Sequence, residues 1–150
     1  MDIPIQVPVD DDGFLRRECP TCEQEFKWFH HQAGDTDAEV VDHFYCPRCG
    51  APAGPNSWWT PLQLKSARAQ AAPDIERVMN DALGGIGRSS GGLVKLSESG
   101  EMRVEDPGVL DEPNDMVIVE PPCHPSEPLK VPEAATAEVH CLICGRAFAA

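Results

Sequence analysis

The chain has 150 residues, enough for one medium domain or two small ones, and its 15 prolines and 12 glycines predict many turns around a small core. It carries 25 acidic and 12 basic residues, giving a formal net charge of −13. That balance opposes binding to duplex DNA, because Lys and Arg are the residues that neutralise phosphates. The sequence shows no signal-peptide pattern and no apolar run of membrane-spanning length, so we expect a cytoplasmic protein with no membrane partner.

Four segments before residue 50 have the pattern of strands. Residues 3–9 place apolar side chains at every second position, but Pro4 and Pro8 cannot donate to a sheet, which predicts an edge strand or an extended arm. Residues 14–18 and 25–29 are predicted as paired strands on either side of a Cys-x-x-Cys motif. Residues 40–45 are predicted as a third strand that leads into another such motif.

The first metal site is predicted from these two Cys-x-x-Cys motifs, at residues 19–22 and 46–49. Their spacing is typical of a four-thiolate zinc site, with the ligands Cys19, Cys22, Cys46 and Cys49. The pattern resembles the zinc-ribbon or treble-clef class of small zinc-binding domains over about residues 14–57. The resemblance implies a fold stabilised by metal, to which one structural zinc contributes on the order of 10 kcal/mol. Phe26 is expected to cover the site.

A helix is predicted directly after Trp58 and Trp59. Thr60 can cap its amino end and Pro61 suits the first helical position, while Pro73 predicts a kink or a restart near residue 72. The second half follows helical spacing of apolar residues, at Ile75, Val78, Met79, Ala82 and Leu83. Such a stripe packs either on the strands of its own chain or on another protein.

The residues after the helix predict a linker and further strands. Residues 84–92 are rich in Gly and Ser and are read as a flexible linker. Residues 93–105 are predicted as a β-hairpin and residues 116–119 as a buried strand, while residues 127–133 are predicted to be extended.

The second metal site is predicted from Cys123 and the Cys-x-x-Cys motif at residues 141–144. The third motif and its following residues share one frame with the first, since Phe26 and Phe148 stand at the same place after them. The chain has seven cysteines, so a fourth ligand must be a histidine, and both His124 and His140 are candidates. We favour His124, because His140 would crowd three ligands into five residues. The predicted ligands, three cysteines and one histidine, are Cys123, His124, Cys141 and Cys144.

These elements predict a small zinc-stabilised α+β fold with two zinc ions. Two zinc-ribbon-like β lobes, residues 1–57 and 93–150, are expected to be joined by a helical segment (residues 58–83) and the linker at residues 84–92. Residues 1–57 hold 11 acidic and 4 basic residues and residues 93–150 hold the same numbers, whereas residues 58–92 hold 3 and 4. This shift in composition favours boundaries on either side of the helix.

The function predicted from this organisation is a protein-interaction or adaptor module with structural zinc sites. A closed ligand set leaves no position for substrate, and no catalytic zinc, nucleotide-binding or hydrolase motif is present, so we expect no enzyme activity. The partner is expected to be another protein that contacts residues 58–83.

Two alternatives remain open from the sequence. One is RNA or single-stranded DNA binding through a local basic patch with aromatic stacking, for which the candidate residues are Arg16, Arg17, Lys27, Arg48, Trp28 and Phe29. The other is redox or metal-level sensing, which rests only on the number of thiols.

Overall fold

The computed structural model describes residues 3–89, 91 and 104–150. In chain order its elements are β1 (Phe14–Glu18), β2 (Glu25–Phe29), β3 (Phe44–Tyr45), β4 (Pro52–Ala53), α1 (Pro61–Ser89), β5 (Val117–Val119), β6 (Leu129–Val131), a 3-10 turn (Glu133–Ala135), β7 (Val139–His140) and β8 (Ala147–Phe148). The fold is α+β with small antiparallel sheets. No helix of the described residues is both long and apolar enough to cross a membrane.

The described residues form two compact units. The cysteine unit comprises Val7–Thr60 and Asp111–Ala150, and the helical unit is drawn from Met1–Gln6 and Pro61–Leu110. Both predicted cysteine groups therefore belong to one unit, which differs from the expected pair of lobes.

A four-stranded antiparallel sheet with the order β1-β2-β6-β5 explains why the two cysteine groups come together. Strand β2 from the first predicted lobe pairs with β6 from the second, placing Trp28 opposite Leu129 and Lys27 opposite Lys130. A two-stranded hairpin is only marginally stable, so each half of the sheet gains an apolar neighbour by joining the other. The predicted strands at residues 14–18 and 25–29 are confirmed with the same bounds.

One face of this sheet builds the core. Because side chains alternate between faces, Phe26 and Trp28 share a face with Leu129, which pairs with Trp28. Trp58 is fully buried against this face, with its ring 5.7 Å from Phe26 and 6.3 Å from Trp28. Trp58 was predicted to belong to a docking surface, and that prediction is wrong, because a core ring cannot meet a partner.

The opposite face carries two lysines that are both fully buried. The Lys27 ammonium lies 3.0 Å from Asp10 and 2.9 Å from Glu112, and the Lys130 ammonium lies 2.8 Å from Asp10. The acidic turn at residues 10–12 and the segment at residues 112–115 therefore supply the counter-charges for this face. Burial of a lysine requires such pairing, since an unpaired buried charge is strongly destabilising.

Helix α1 is longer than expected. It runs without interruption from Pro61 through Pro73 to Ser89, so of the two expected outcomes at Pro73 the restart is wrong, and so is the linker expected at residues 84–89. Proline and glycine both disfavour a helix interior, by about 3 and 1 kcal/mol relative to alanine, so this helix forms against its local propensity over its second half.

Other predicted elements are shorter or fall elsewhere. Residues 3–9 form no strand, and the strand predicted at residues 40–45 is reduced to β3. The strand predicted at residues 116–119 is present as β5, and the extended segment at residues 127–133 contains β6. The hairpin predicted at residues 93–105 lies outside the described residues except for its last two.

Candidate metal centres

The three Cys-x-x-Cys motifs, called here the first (residues 19–22), second (residues 46–49) and third (residues 141–144), each connect the strands of a hairpin. The first joins β1 to β2, the second β3 to β4 and the third β7 to β8. Each hairpin thus presents two cysteines at its tip. The equivalence of the first and third motifs was visible in the sequence, but the second belongs to the same set and was not matched to them, because Ala53 stands where the others have phenylalanine.

The same backbone hydrogen bonds close all three turns. The N–H of the residue after the second cysteine donates to the carbonyl of the first cysteine, from Glu23 at 3.0 Å, Gly50 at 2.8 Å and Gly145 at 2.9 Å. These three residues have positive φ angles of 57°, 75° and 72°. Glycine adopts this conformation without strain, so Gly50 and Gly145 fit the turn, whereas Glu23 adopts it at a cost.

The first candidate metal centre contains the four predicted cysteines. Their sulfur atoms all lie within 4.8 Å of one another, with Cys19 and Cys49 separated by 3.8 Å and Cys22 and Cys46 also by 3.8 Å. The Cys19 and Cys46 side chains are fully buried, as is Phe26, which packs in the same apolar cluster. The Phe26 ring therefore belongs to the same buried cluster as Cys19 and Cys46.

Backbone N–H groups point at the sulfur atoms of this cluster. Thr21 and Cys22 donate to Cys19 at 3.3 and 3.4 Å, and Arg48 donates to Cys46 at 3.3 Å. Burial opposes ionisation of Cys19, but these donors outweigh it and lower its pKa. Burial raises the pKa of Cys46 despite its own donors. Neighbouring thiols cannot all ionise by themselves, so the cluster needs a cation to hold four thiolates.

The second candidate metal centre contains Cys123, His124, Cys141 and Cys144, again within 4.8 Å of one another. The third motif approaches a turn that follows β5, in which the N–H of His124 donates to the carbonyl of Pro121 at 3.1 Å. The Cys123 and Cys144 sulfurs are 3.4 Å apart, and Nδ1 of His124 is 3.4 Å from the Cys141 sulfur. Burial raises the pKa of Cys141 to about 12.

The structure brings His124 and not His140 into this cluster. Nδ1 of His140 lies 3.2 Å from the carbonyl of Gly145, outside the group of ligand atoms. The other three histidines, His30, His31 and His43, belong to neither cluster. His31 contacts Asp35 and Glu127, and His43 contacts Asp42 and Tyr45.

The two donor sets fit a tetrahedral metal ion. With metal–sulfur bonds of about 2.3 Å and a metal–nitrogen bond of about 2.0 Å, tetrahedral geometry separates two sulfurs by roughly 3.8 Å and a sulfur and a nitrogen by roughly 3.5 Å. Both sulfur pairs of the first cluster and the His124–Cys141 pair of the second lie close to these values, whereas the Cys123 and Cys144 sulfurs, at 3.4 Å, are closer together than a bound ion would hold them. A disulfide would bring two sulfurs to about 2.05 Å, so none of these pairs is a disulfide. Each cluster can hold one metal ion, consistent with two zinc sites.

The candidate nucleic-acid patch is not present as an exposed surface. Lys27 is buried among acids, and Arg16 pairs with Glu25, Glu112 and Asp115 at 2.6–2.9 Å. Arg17 is buried and lies over the rings of Trp28 and Trp59, 4.7 and 4.9 Å from their centres. Only Arg48 of the four is neither buried nor ion-paired among the described contacts.

The ion network around Asp10 was missed from the sequence. One Asp10 oxygen accepts from the N–H groups of Asp12 and Phe14, and the other from Lys27 and Lys130, at 2.8–3.1 Å. Burial would raise the pKa of Asp10, but these donors outweigh burial and lower the pKa to about 2. The sequence shows only that Lys27 stands between Phe26 and Trp28 in a predicted strand, and it does not indicate which acids pair with it.

Comparison with known proteins adds no relative to this description. No protein-family model, no curated protein and no solved structure matches the chain.

Proposed function

We propose that the chain is a protein-interaction module whose two cysteine clusters are closed structural zinc sites of the zinc-ribbon or treble-clef type. In each cluster four side chains of the chain itself supply all the ligands that tetrahedral zinc requires. No coordination position is left for a substrate, so the zinc ions stabilise the fold and perform no chemistry. Ligand sets of four cysteines, or of three cysteines and one histidine, serve this purpose in small domains with limited cores.

The apolar stripe of α1 is the observation that carries the interaction proposal. Its large apolar side chains are about half exposed, from 41% for Ile75 and Leu83 to 52% for Met79, and Ile86 extends the stripe by another turn with 51%. Leu62 and Leu64 at the start of the helix are also exposed. A long helix that contains Pro73 and three glycines gains little from propensity, so packing of its apolar face against a partner is what would stabilise it.

The charge of the chain favours a different protein over a second copy as the partner. The chain carries −13, so two copies repel each other, whereas α1 itself carries four basic and three acidic residues. A near-neutral apolar helix fits a hydrophobic groove of another protein, the arrangement in which helices are commonly recognised through residues three and four positions apart. No described basic cluster favours the nucleic-acid alternative.

The proposal is tested by two matched substitutions on α1. Met79→Glu introduces a charge into the stripe, and Asn80→Glu introduces the same charge at a neighbouring exposed polar position. We expect the zinc-loaded wild type and the Asn80→Glu variant to crosslink through residues 75–86 to the same partner protein. The Met79→Glu variant is expected to give no such crosslink. Equal amounts of crosslinked partner with all three proteins would contradict the proposal. Sedimentation of the purified chain identifies self-association, which also contradicts it.

The metal part of the proposal has its own test. Metal analysis of the purified chain is expected to give two zinc ions, falling to one for Cys123→Ser. Retention of two ions by this variant would contradict the assignment of the second site, whereas His140→Ala serves as the control that retains both ions at saturating zinc.

A further inference from the structure

The second and third motifs bind each other, each through the residue that precedes its first cysteine. The backbone N–H of Tyr45 donates to the carbonyl of Leu142 at 2.8 Å, and the N–H of His140 donates to the carbonyl of Pro47 at 2.9 Å. Pro47 and Leu142 occupy the same place, directly after the first cysteine of each motif. The two bonds are therefore reciprocal.

The side chains of the same two residues repeat this exchange. A Cβ atom built on Gly145 would lie 2.8 Å from Cδ1 of Tyr45, and one built on Gly50 would lie 3.0 Å from Nδ1 of His140. Each ring thus lies on the glycine that ends the opposite motif. Glycine is required at both positions for two reasons: a Cβ atom would clash with the ring, and the φ angle is positive.

The first motif makes no equivalent exchange among the described contacts. The residue before it, Glu18, donates its N–H to the carbonyl of Trp58 at 3.0 Å, and Glu23 stands where the other two motifs have glycine. The reciprocal contacts are therefore specific to the second and third motifs and do not follow from the shape of a Cys-x-x-Cys turn alone.

We infer that the two metal centres are energetically coupled, so that filling one raises the affinity of the other. The inference rests on the proposed structural-metal role, and it follows from which motif belongs to which centre. The second motif supplies half of the first cluster, and the third supplies half of the second. Loss of an ion releases the turn that held it. That turn carries the carbonyl acceptor and the glycine against which Tyr45 or His140 packs, so the residue that leads into the other turn loses its position.

Coupling of this kind is reciprocal and measurable. Filling either site must change the affinity of the other by the same factor, and coupling between protein sites commonly corresponds to a factor of about 5 to 150. Without coupling, emptying one centre leaves the affinity of the other centre unchanged.

The experiment titrates the metal-free full chain with Co²⁺, because the absorption of tetrahedral cobalt distinguishes coordination by four thiolates from coordination by three thiolates and an imidazole. Cys123→Ser removes a ligand of the second centre that lies outside the third motif, and it is expected to lower cobalt affinity at the first centre by about fivefold or more. Cys22→Ser removes a ligand of the first centre that lies outside the second motif, and it is expected to lower cobalt affinity at the second centre by the same factor. His140→Ala removes the ring that contacts Gly50 and should reduce both cross-effects, whereas Glu18→Ala is the control that leaves them unchanged.

Three results decide the matter. Cross-effects of equal size from Cys123→Ser and Cys22→Ser, reduced by His140→Ala but not by Glu18→Ala, support the coupling. Unchanged affinity at the intact centre overturns it, while two tetrahedral cobalt ions in the wild type leave the structural-metal role intact. Fewer than two bound ions overturn both the coupling and the proposed metal role.

Discussion

The cysteine unit and helix α1 use their apolar residues in opposite ways. In the described part of the chain, every buried hydrophobic side chain belongs to the cysteine unit, including Trp58, Leu129 and Val139. Along α1 the buried side chains are the polar Gln63 and Ser66, whereas its large apolar residues are exposed. The comparison shows one region that buries its apolar residues in internal contacts, and another region whose large apolar residues are exposed.

Metal removal is expected to have the largest effect on this comparison. A strong chelator should abolish the dispersed amide resonances of the cysteine unit, since structural zinc contributes on the order of 10 kcal/mol per site. The resonances of α1 are expected to change less, because no described residue of the helix belongs to a metal cluster. Heteronuclear NMR of the labelled chain measures both. Simultaneous collapse of both regions would contradict their separation.

Trp58 and Trp59 are adjacent in the chain, but Trp58 is fully buried and Trp59 only partly, so their substitutions compare the core with the surface. Trp58→Ala should reduce the free energy of unfolding by about 3–5 kcal/mol, because it removes a fully buried ring. Trp59 is only partly buried and stacks on Arg17, so Trp59→Ala should cost about 1 kcal/mol. Urea unfolding of the zinc-loaded variants measures both, and equal costs would refute the assignment of Trp58 to the core.

Two lysines extend the comparison to charged groups. Lys27→Ala should destabilise the protein by about 1.5–3 kcal/mol, because it removes the buried charge-assisted contacts to Asp10 and Glu112, although Lys130 and Arg16 still pair with these two carboxylates. Lys65 on α1 pairs with Glu105 at the surface, so Lys65→Ala should change stability by less than about 1 kcal/mol. The two values come from the same unfolding assay, and a small loss for Lys27→Ala would show that the network is dispensable.

The pH dependence of stability should report the buried carboxylate. The pKa of Asp10 is lowered to about 2 in the folded protein from 3.8, so its ionised form stabilises the fold above about pH 4, and this contribution is lost as the pH falls towards 2. The contribution is on the order of 2 kcal/mol. Wild type and Asp10→Asn, compared at each pH under saturating zinc, should differ by a constant amount from pH 7 to 5 and converge in acid. A difference that changes between pH 7 and 5 would assign the effect to another group.

The smallest effect is expected on the exposed helix face. Met79→Ser should change the free energy of unfolding of the isolated chain by less than about 0.5 kcal/mol, because its side chain is already 52% exposed. Thermal unfolding measures this change. A loss comparable to that of Trp58→Ala would show that the stripe packs within the chain and is not left for a partner.

Much of the candidate site could be predicted because metal ligation leaves a local pattern. Two ligands from one turn must stand three positions apart, so the Cys-x-x-Cys motifs at residues 19–22, 46–49 and 141–144 are visible in the sequence alone. The structure groups His124, and not His140, with Cys123, Cys141 and Cys144. Strands β1 and β2 were predictable because they flank such a turn.

The parts of the fold that the sequence did not predict depend on contacts between distant segments of the chain. The pairing of β2 with β6 joins predicted lobes that are separated by the helix, and no local pattern specifies that pairing. Lys27 and Lys130 face each other in this pairing and are both fully buried. The sequence suggested Lys27 for an exposed basic patch and gave no role to Lys130. Helix α1 passes Pro73 and the glycines after Leu83, where local propensity predicts a break.

The sequence by itself determined the seven cysteine ligand candidates and two competing histidines, the chemistry of their thiolate and imidazole donors, and the start of the helix at Pro61. Only the tertiary structure decided that both clusters belong to one unit, that the second and third motifs exchange backbone bonds through Tyr45 and His140, and that Trp58 is core while the α1 stripe is exposed. The reason is physical: ligand spacing is fixed within a turn of a few residues, whereas burial and strand pairing depend on which distant segments exclude water together.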